Sequence, residues 1–297
     1  VNLCYGQIVT TAMEHNSVLR PVATRGYYHV NEADANGSLD YDRIRRSITE
    51  LTGAVVMTHA SNVTGEVYDV ARIGEYCRKK GILFIVDCAQ SAGVVPIDVE
   101  SMCIDVLCFT GHKGLFGIQG TGGIYVADHV RIRPYMSGGT GSHSFLLRQP
   151  TEMPDCFEAG TVNTHGIAAL GAGLDYVSGI GVGKMQEIHT ELWRYFTANA
   201  RKINGITVYG PEDAGGGMIN TGVVSLNVIG HEPGEVSMLL GKEGICTRAG
   251  YHCAPLAHKA LRTDALGGTV RFSFSHLNTK EEIDTTLYTL KKLFALS

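Results

Sequence analysis

The sequence predicts an α/β chain with a mostly parallel sheet over residues 1–180 and a smaller α+β unit over residues 181–297. Three observations predict it. First, short apolar runs recur at 54–58, 83–87, 105–109 and 123–126. Strands that are apolar throughout belong to parallel sheets covered on both faces. Second, segment 70–80 lies between two of these runs, with Ile73 and Cys77 at helical spacing and Gly81 as a stop. Third, the pattern changes after Ser178-Gly-Ile-Gly-Val-Gly183, which sets the boundary near Gly181. Beyond it come a long amphipathic stretch (184–203), strand-like runs at 223–228 and 269–274, and a last helix running towards Phe294. Thr279-Lys-Glu-Glu282 has the capping-box spacing that opens that helix.

The chain has 297 residues, 44% of them hydrophobic, enough to bury a core without staples. A net charge of -4 and the lack of a basic stripe argue against nucleic acid as a partner. No apolar run reaches the roughly 20 residues of a membrane span, and no signal peptide opens at Val1. The expectation is a cytoplasmic protein away from the membrane. The eight cysteines form no C-x-x-C pair. Cys88, Cys103 and Cys108 sit in apolar, strand-like segments and read as buried, reduced thiols. His252, Cys253 and His258 cluster without a fourth ligand, so no metal is expected.

Four segments carry chemistry, each at or after a strand. In Val86-Asp87-Cys-Ala-Gln90, an acid ending a buried strand either caps the next turn or pairs with a cation. In Phe109-Thr-Gly-His-Lys113, a lysine follows an apolar strand and precedes a glycine-rich loop. Glycines let backbone close on a flat ring or a phosphate, and Thr110 and His112 are donors suited to phosphate oxygens. A P-loop fits poorly, because the lysine precedes the glycines. Arg248-Ala-Gly-Tyr-His-Cys-Ala-Pro255 places a cysteine in a polar loop, where His252 and Arg248 would favour the thiolate. Glu158-Ala-Gly-Thr-Val-Asn163 alone reads as a helix entry. Glu14-His15 follows the short strand at 8–11, and Ser61-Asn62 follows the strand ending at Thr58.

Taken in order, these segments resemble the class V aminotransferase superfamily, and most closely its cysteine desulfurase and selenocysteine lyase branch. The resemblance runs from about Gly6 to the C-terminus, through His15, Asn62, Asp87, Gln90, His112-Lys113, Glu158–Thr161, Arg248–Cys253 and Arg271. It implies a pyridoxal-phosphate-dependent transferase of fold type I. By that resemblance Lys113 carries the cofactor and shuttles protons. Asp87 would pair with the pyridine nitrogen and keep the ring an electron sink. Gln90 would bond the phenolic oxygen, and His15 would stack on the ring and assist proton transfer. Thr110 and His112 would hold the phosphate, and Thr161 would reach the phosphate of a partner subunit, which implies a homodimer. Asn62 and Arg271 would hold the substrate carboxylate, with Arg248 orienting the loop or the substrate. Cys253 would take sulfur from L-cysteine as a persulfide, release alanine and pass the sulfur to an acceptor protein.

Selenocysteine lyase, a class V transaminase and an inactive truncated member are the alternatives. Cys88 stands where a glycine is common, and Ile118 where proline is. Members of the family also carry, before the position of Val1, a Gly-Ala/Thr-Thr turn that grips the cofactor phosphate. The chain is therefore expected to be short at its N-terminus.

Overall fold

The computed structural model describes residue 1, residues 4–213 and residues 215–296. The first sheet is built from β1 (Gln7–Thr11), β2 (Tyr28–Asn31), β3 (Thr52–Thr58), β4 (Leu83–Asp87), β5 (Val106–Thr110) and β6 (Gly122–Val126). Between them lie helices α1 (Asn16–Arg25), α2 (Tyr41–Ser47) and α3 (Val70–Lys80). The strand order is β2-β1-β3-β4-β5-β6. All pairs are parallel except β5 and β6.

The sequence of β3 shows why the sheet is covered on both faces. Val55 and Met57 enter the cluster with Ile44, Ile73, Cys77 and Phe84. Ala54 and Val56 enter the opposite one with Ile8, Val18, Val22 and Ile85. Alternate residues of a strand point to opposite faces, so an all-apolar run needs two cores. Each such side chain contributes about 1.5–3 kcal/mol on burial. Helix α3 starts where the Asp69 side chain accepts from Arg72 N and stops at Gly81, whose φ is 66°.

Helix α4 (Thr164–Ile180) follows β6, and the second part contains α5 (Val182–Ala200), β7 (Ile206–Tyr209), β8 (Val223–Val228), α6 (Pro233–Lys242), β9 (Arg248–Gly250), α7 (Pro255–Ala260), β10 (Thr269–Ser273) and α8 (Lys280–Phe294). Its antiparallel sheet has the order β7-β8-β10-β9. Val224, Leu226 and Val228 of β8 pack with Phe196, Leu240, Phe272 and Leu290. Helix α8 opens on the expected capping box between Thr279 and Glu282. Helices α4 and α5 meet at Gly181 with a bend of 77°. Among the described residues no single helix is long and apolar enough to cross a membrane.

Segment 62–66 seats the second sheet on the first. Ser225 Oγ donates to the Val63 carbonyl (2.7 Å), Asn220 Nδ2 to that of Thr64 (2.9 Å) and Thr221 N to that of Gly65 (2.9 Å). Ala254, Ala257 and Leu261, at and after the start of α7, reach into the core under the first sheet. The turn just before α7 therefore hangs between the two sheets. Two cysteines differ from expectation: Cys103 is buried in a turn with φ 54° rather than in a strand, and Cys108 lies in β5 but is only half-buried.

Candidate active site

The carboxyl ends of β1, β3, β4 and β5 deliver His15, Asn62, Asp87 and the Thr110–Lys113 loop to one edge of the sheet, where ligands of such sheets bind. β10 and the β9–α7 turn bring Arg271, Arg248 and Cys253 to the same edge.

His15 caps α1. Its Nδ1 accepts from Ser17 N at 3.0 Å and lies 2.9 Å from Ser17 Oγ. That bond leaves the ring proton on Nε2 when the ring is neutral. Burial, and next the ammonium of Lys113, push the imidazole below its usual range, while Asp87 pulls the other way. Asp87 ends β4, and its Oδ1 accepts from Ala89 N at 2.9 Å. The capping role is thus real but uses one oxygen. No described residue hydrogen-bonds the other, and the carboxylate charge acts on Lys113, His15 and Glu14. Gln90 lies part-buried three residues further on.

The Lys113 loop is held tightly. Gly111 N donates to Thr121 O (2.9 Å), Gly117 N to Gly111 O (2.8 Å) and Phe116 N to Lys113 O (3.0 Å). Backbone packs directly on backbone where this loop meets the turn after Gln90. A Cβ at Gly93, whose φ is 82°, would lie 2.2 Å from the Gly114 carbonyl oxygen. Gly93→Ala is therefore expected to lower unfolding free energy by about 2–4 kcal/mol, read by urea titration. The Lys113 side chain is exposed where the loop leaves β5. Surrounding protein lowers its pKa most, Arg271 and Arg248 add to this, and Asp87 and Cys253 oppose it. The result is a larger share of neutral, nucleophilic amine. Thr110 Oγ1 and His112 Nδ1 stand 2.8 Å apart beside it.

Arg248 and Arg271 face each other across β9 and β10. Like charges directly opposite on a sheet repel, unless an anion is shared between them. Arg271 Nη1 donates to the Asn62 carbonyl at 2.9 Å, whereas its Nε is buried with no partner. Asn62 is buried, and its Nδ2 donates to the His252 carbonyl at 2.6 Å.

Cys253 is exposed, with φ 59°. The expected role of His252 in favouring the thiolate is not met. The residue is 4% exposed, and its ring turns to Thr269 at 3.0–3.1 Å and is held neutral by burial, with its pKa pushed down to about 3. Thr161 stands apart, exposed on the segment leading to α4, and no described residue hydrogen-bonds its side chain. The Asn163 side chain, two residues on, caps α4 through Gly166 N.

Sequence reasoning assigned no role to Glu14, which is fully buried beside His15. An acid three residues after a short strand, preceded by Ala12 and Met13, was the available signal.

The donor set fits pyridoxal phosphate. It offers an amine whose ammonium form is disfavoured, a carboxylate with an open oxygen, an imidazole of fixed tautomer, and a hydroxyl–imidazole pair for phosphate. Fold and cleft together define a lysine-centred α/β enzyme.

The aminotransferase class-V family model matches residues 5–286. A Methanothermobacter thermautotrophicus protein named "Probable cysteine desulfurase" is 36% identical, over 96% of this chain and 72% of that protein. The cysteine desulfurase of an Enterobacter species is 32% identical, over 97% of this chain and 71% of that protein. The apo structure of the Thermococcus onnurineus cysteine desulfurase superposes with a TM-score of 0.90 at 34% identity, covering 98% of this chain and 73% of that one. An Escherichia coli cysteine desulfurase in its S-sulfonic acid form gives 0.88 at 25% identity, over 99% and 73%. The chain belongs to the class V aminotransferase family, a family of pyridoxal-phosphate enzymes.

Proposed function

We propose that this chain is a cysteine desulfurase that converts L-cysteine to L-alanine and leaves a persulfide on Cys253. The observation that carries this reading is the presentation of Cys253 on an exposed turn within electrostatic reach of both Lys113 and Arg271. Relatives named as cysteine desulfurases support it.

Lys113 would hold pyridoxal phosphate, Asp87 would pair with its ring nitrogen, Gln90 would bond its phenolic oxygen, and His15 would contact the ring. Thr110 and His112 would bind the phosphate. When bound, the cofactor supplies an electron sink for the substrate's α-carbon. Arg271, backed by Asn62 and faced by Arg248, takes the substrate carboxylate as a bidentate anion. The Lys113 amine, within reach of the same site, would move the substrate's α-proton. The Cys253 thiolate attacks the substrate sulfur, and a sulfur–sulfur bond forms as the carbon–sulfur bond breaks. The carbon keeps that bond's electron pair and takes a proton, so cysteine and a thiol become alanine and a persulfide.

Two copies pair in this reading, with Thr161 directed at the partner's cofactor phosphate. The fully exposed Phe145 and Leu147, with Leu146 between them, give such an interface its apolar surface. The persulfide sulfur then passes to an acceptor protein.

Cys253→Ala tests the reading. Alanine formation from L-cysteine is expected to fall by at least about 100-fold, with pyridoxal phosphate binding by absorbance unchanged. Full turnover in this variant would sink the proposal.

A further inference from the structure

The turn that carries Cys253 has an unusual construction. Ala254 N donates to Tyr251 O at 2.9 Å, so His252 and Cys253 are the two central residues of a tight turn. Both have positive φ, 49° and 59°. This is the pattern of a type I′ turn, whose central positions favour asparagine and glycine. Two consecutive left-handed residues with Cβ atoms persist only where their surroundings hold them.

The surroundings do hold them. The His252 carbonyl accepts from Asn62 Nδ2 at 2.6 Å, and the Cys253 carbonyl from Asn16 N at 2.7 Å. Both donors come from the first sheet's side of the cleft. From the second sheet, the His252 ring is fixed through Nε2 to the Thr269 carbonyl (3.1 Å) and hydroxyl (3.0 Å). A carbonyl only accepts, so Nε2 carries the proton. Nδ1 is buried and has no partner, so Nε2 is the ring's one hydrogen-bonded anchor. The two central side chains diverge: His252 is buried and Cys253 exposed. Asn62 connects this turn to the substrate arginine, since its own carbonyl accepts from Arg271 Nη1.

We infer that His252 is a positioning residue for Cys253: its ring, anchored on Thr269, sets the left-handed His252–Cys253 pair so that the thiol faces the cleft. The inference rests on the proposed role of Cys253 as sulfur acceptor. The ring acts as a peg and not as an acid or base, because burial and the nearby Arg271 keep it neutral throughout the physiological range.

Three substitutions separate a peg from a generally stabilising side chain. His252→Gln places an amide N–H where Nε2 stood. His252→Asn suits a left-handed turn better but is too short to reach Thr269. His252→Ala has neither property. In the cofactor-loaded protein, His252→Ala and His252→Asn are expected to lower kcat for alanine formation by about 100-fold. KM for L-cysteine should stay within about threefold, and His252→Gln should recover most of the loss. In cofactor-free protein, amide hydrogen exchange of the segments around Asn16 and Ala254 should quicken by about tenfold in the alanine and asparagine variants but not in the glutamine one.

Recovery by asparagine instead of glutamine would overturn the inference, as would unchanged exchange in His252→Ala. A dead Cys253→Ala beside a fully active His252→Ala overturns it alone. Full turnover in Cys253→Ala overturns the proposed function, and this inference with it.

Discussion

Lys113→Ala is expected to lower alanine formation from L-cysteine by about 10⁴-fold, with no absorbance band on titration with pyridoxal phosphate beyond that of the free cofactor. Two losses combine. The variant has no amine to hold the cofactor covalently, and none to move the α-proton; a positioned base alone supplies up to about 10⁴-fold. Folding should suffer little. The ammonium of Lys113 is disfavoured where it sits, by the surrounding protein first and then by Arg271 and Arg248. Its removal relieves that desolvation and repulsion and forfeits only the attraction of Asp87 and Cys253. Lys113→Arg is the sharper control. It keeps the positive charge beside Asp87, but a guanidinium does not lose its proton near neutral pH and cannot serve as the amine. Both variants should therefore be inactive while unfolding at urea concentrations close to wild type. Borohydride fixation of the cofactor to a different lysine in Lys113→Ala would show that the amine has been misassigned. A small molecular amine such as methylamine should restore part of the proton-transfer rate in the alanine variant and none in the arginine variant, whose longer side chain fills the same space.

How far the sequence showed this site depends on where each residue sits. Strands β3, β4, β5 and β8 were legible because both faces or one full face of each is buried, which leaves a run of apolar letters. The first edge strand, β2 (Tyr-His-Val-Asn), carries exposed polar residues and gave no such run. The three-residue β9 is too short for any period, although it carries Arg248. Lys113 and Asp87 stood out because a charge at the end of an apolar strand needs a partner. The direction of the His252 ring was hidden by the turn itself. Asn-Gly is the sequence sign of a type I′ turn, and His-Cys gives none, so the histidine was read as lying beside the thiol. In the fold it points away, to Thr269. The role of Asn62 was equally illegible, since its two partners, His252 and Arg271, lie 190 and 209 residues further along the chain.

Glu14→Gln is expected to make the protein more resistant to unfolding at alkaline pH, by an amount that grows with pH. Glu14 is fully buried at the end of β1's loop, directly before His15. Its Oε1 accepts from Thr11 Oγ1 at 2.6 Å and from Thr58 N at 3.0 Å, while Oε2 is buried without a partner. Burial outweighs those two hydrogen bonds, the nearby Asp87 charge adds to it, and the carboxyl's pKa is pushed up to about 8. The other ionisable group that senses Glu14 is Tyr68, itself buried and raised well above its usual range. The folded pKa thus exceeds the unfolded one, near 4.5. The protonated carboxyl's stabilisation is fully present below about pH 4.5 and is lost as pH rises through about 8. Between pH 5 and pH 9 that amounts to on the order of 4 kcal/mol. Glutamine keeps the shape and an acceptor for Thr11 and Thr58, and it has no proton to lose. The difference in unfolding free energy between variant and wild type should therefore rise by about that amount across the same range, because other titrating groups cancel in the subtraction. A flat difference would mean that Glu14 is ionised in the native protein and that its charge is met from within the fold. The functional consequence follows from the same geometry. At neutral pH a protonated Glu14 adds no second negative charge beside Asp87.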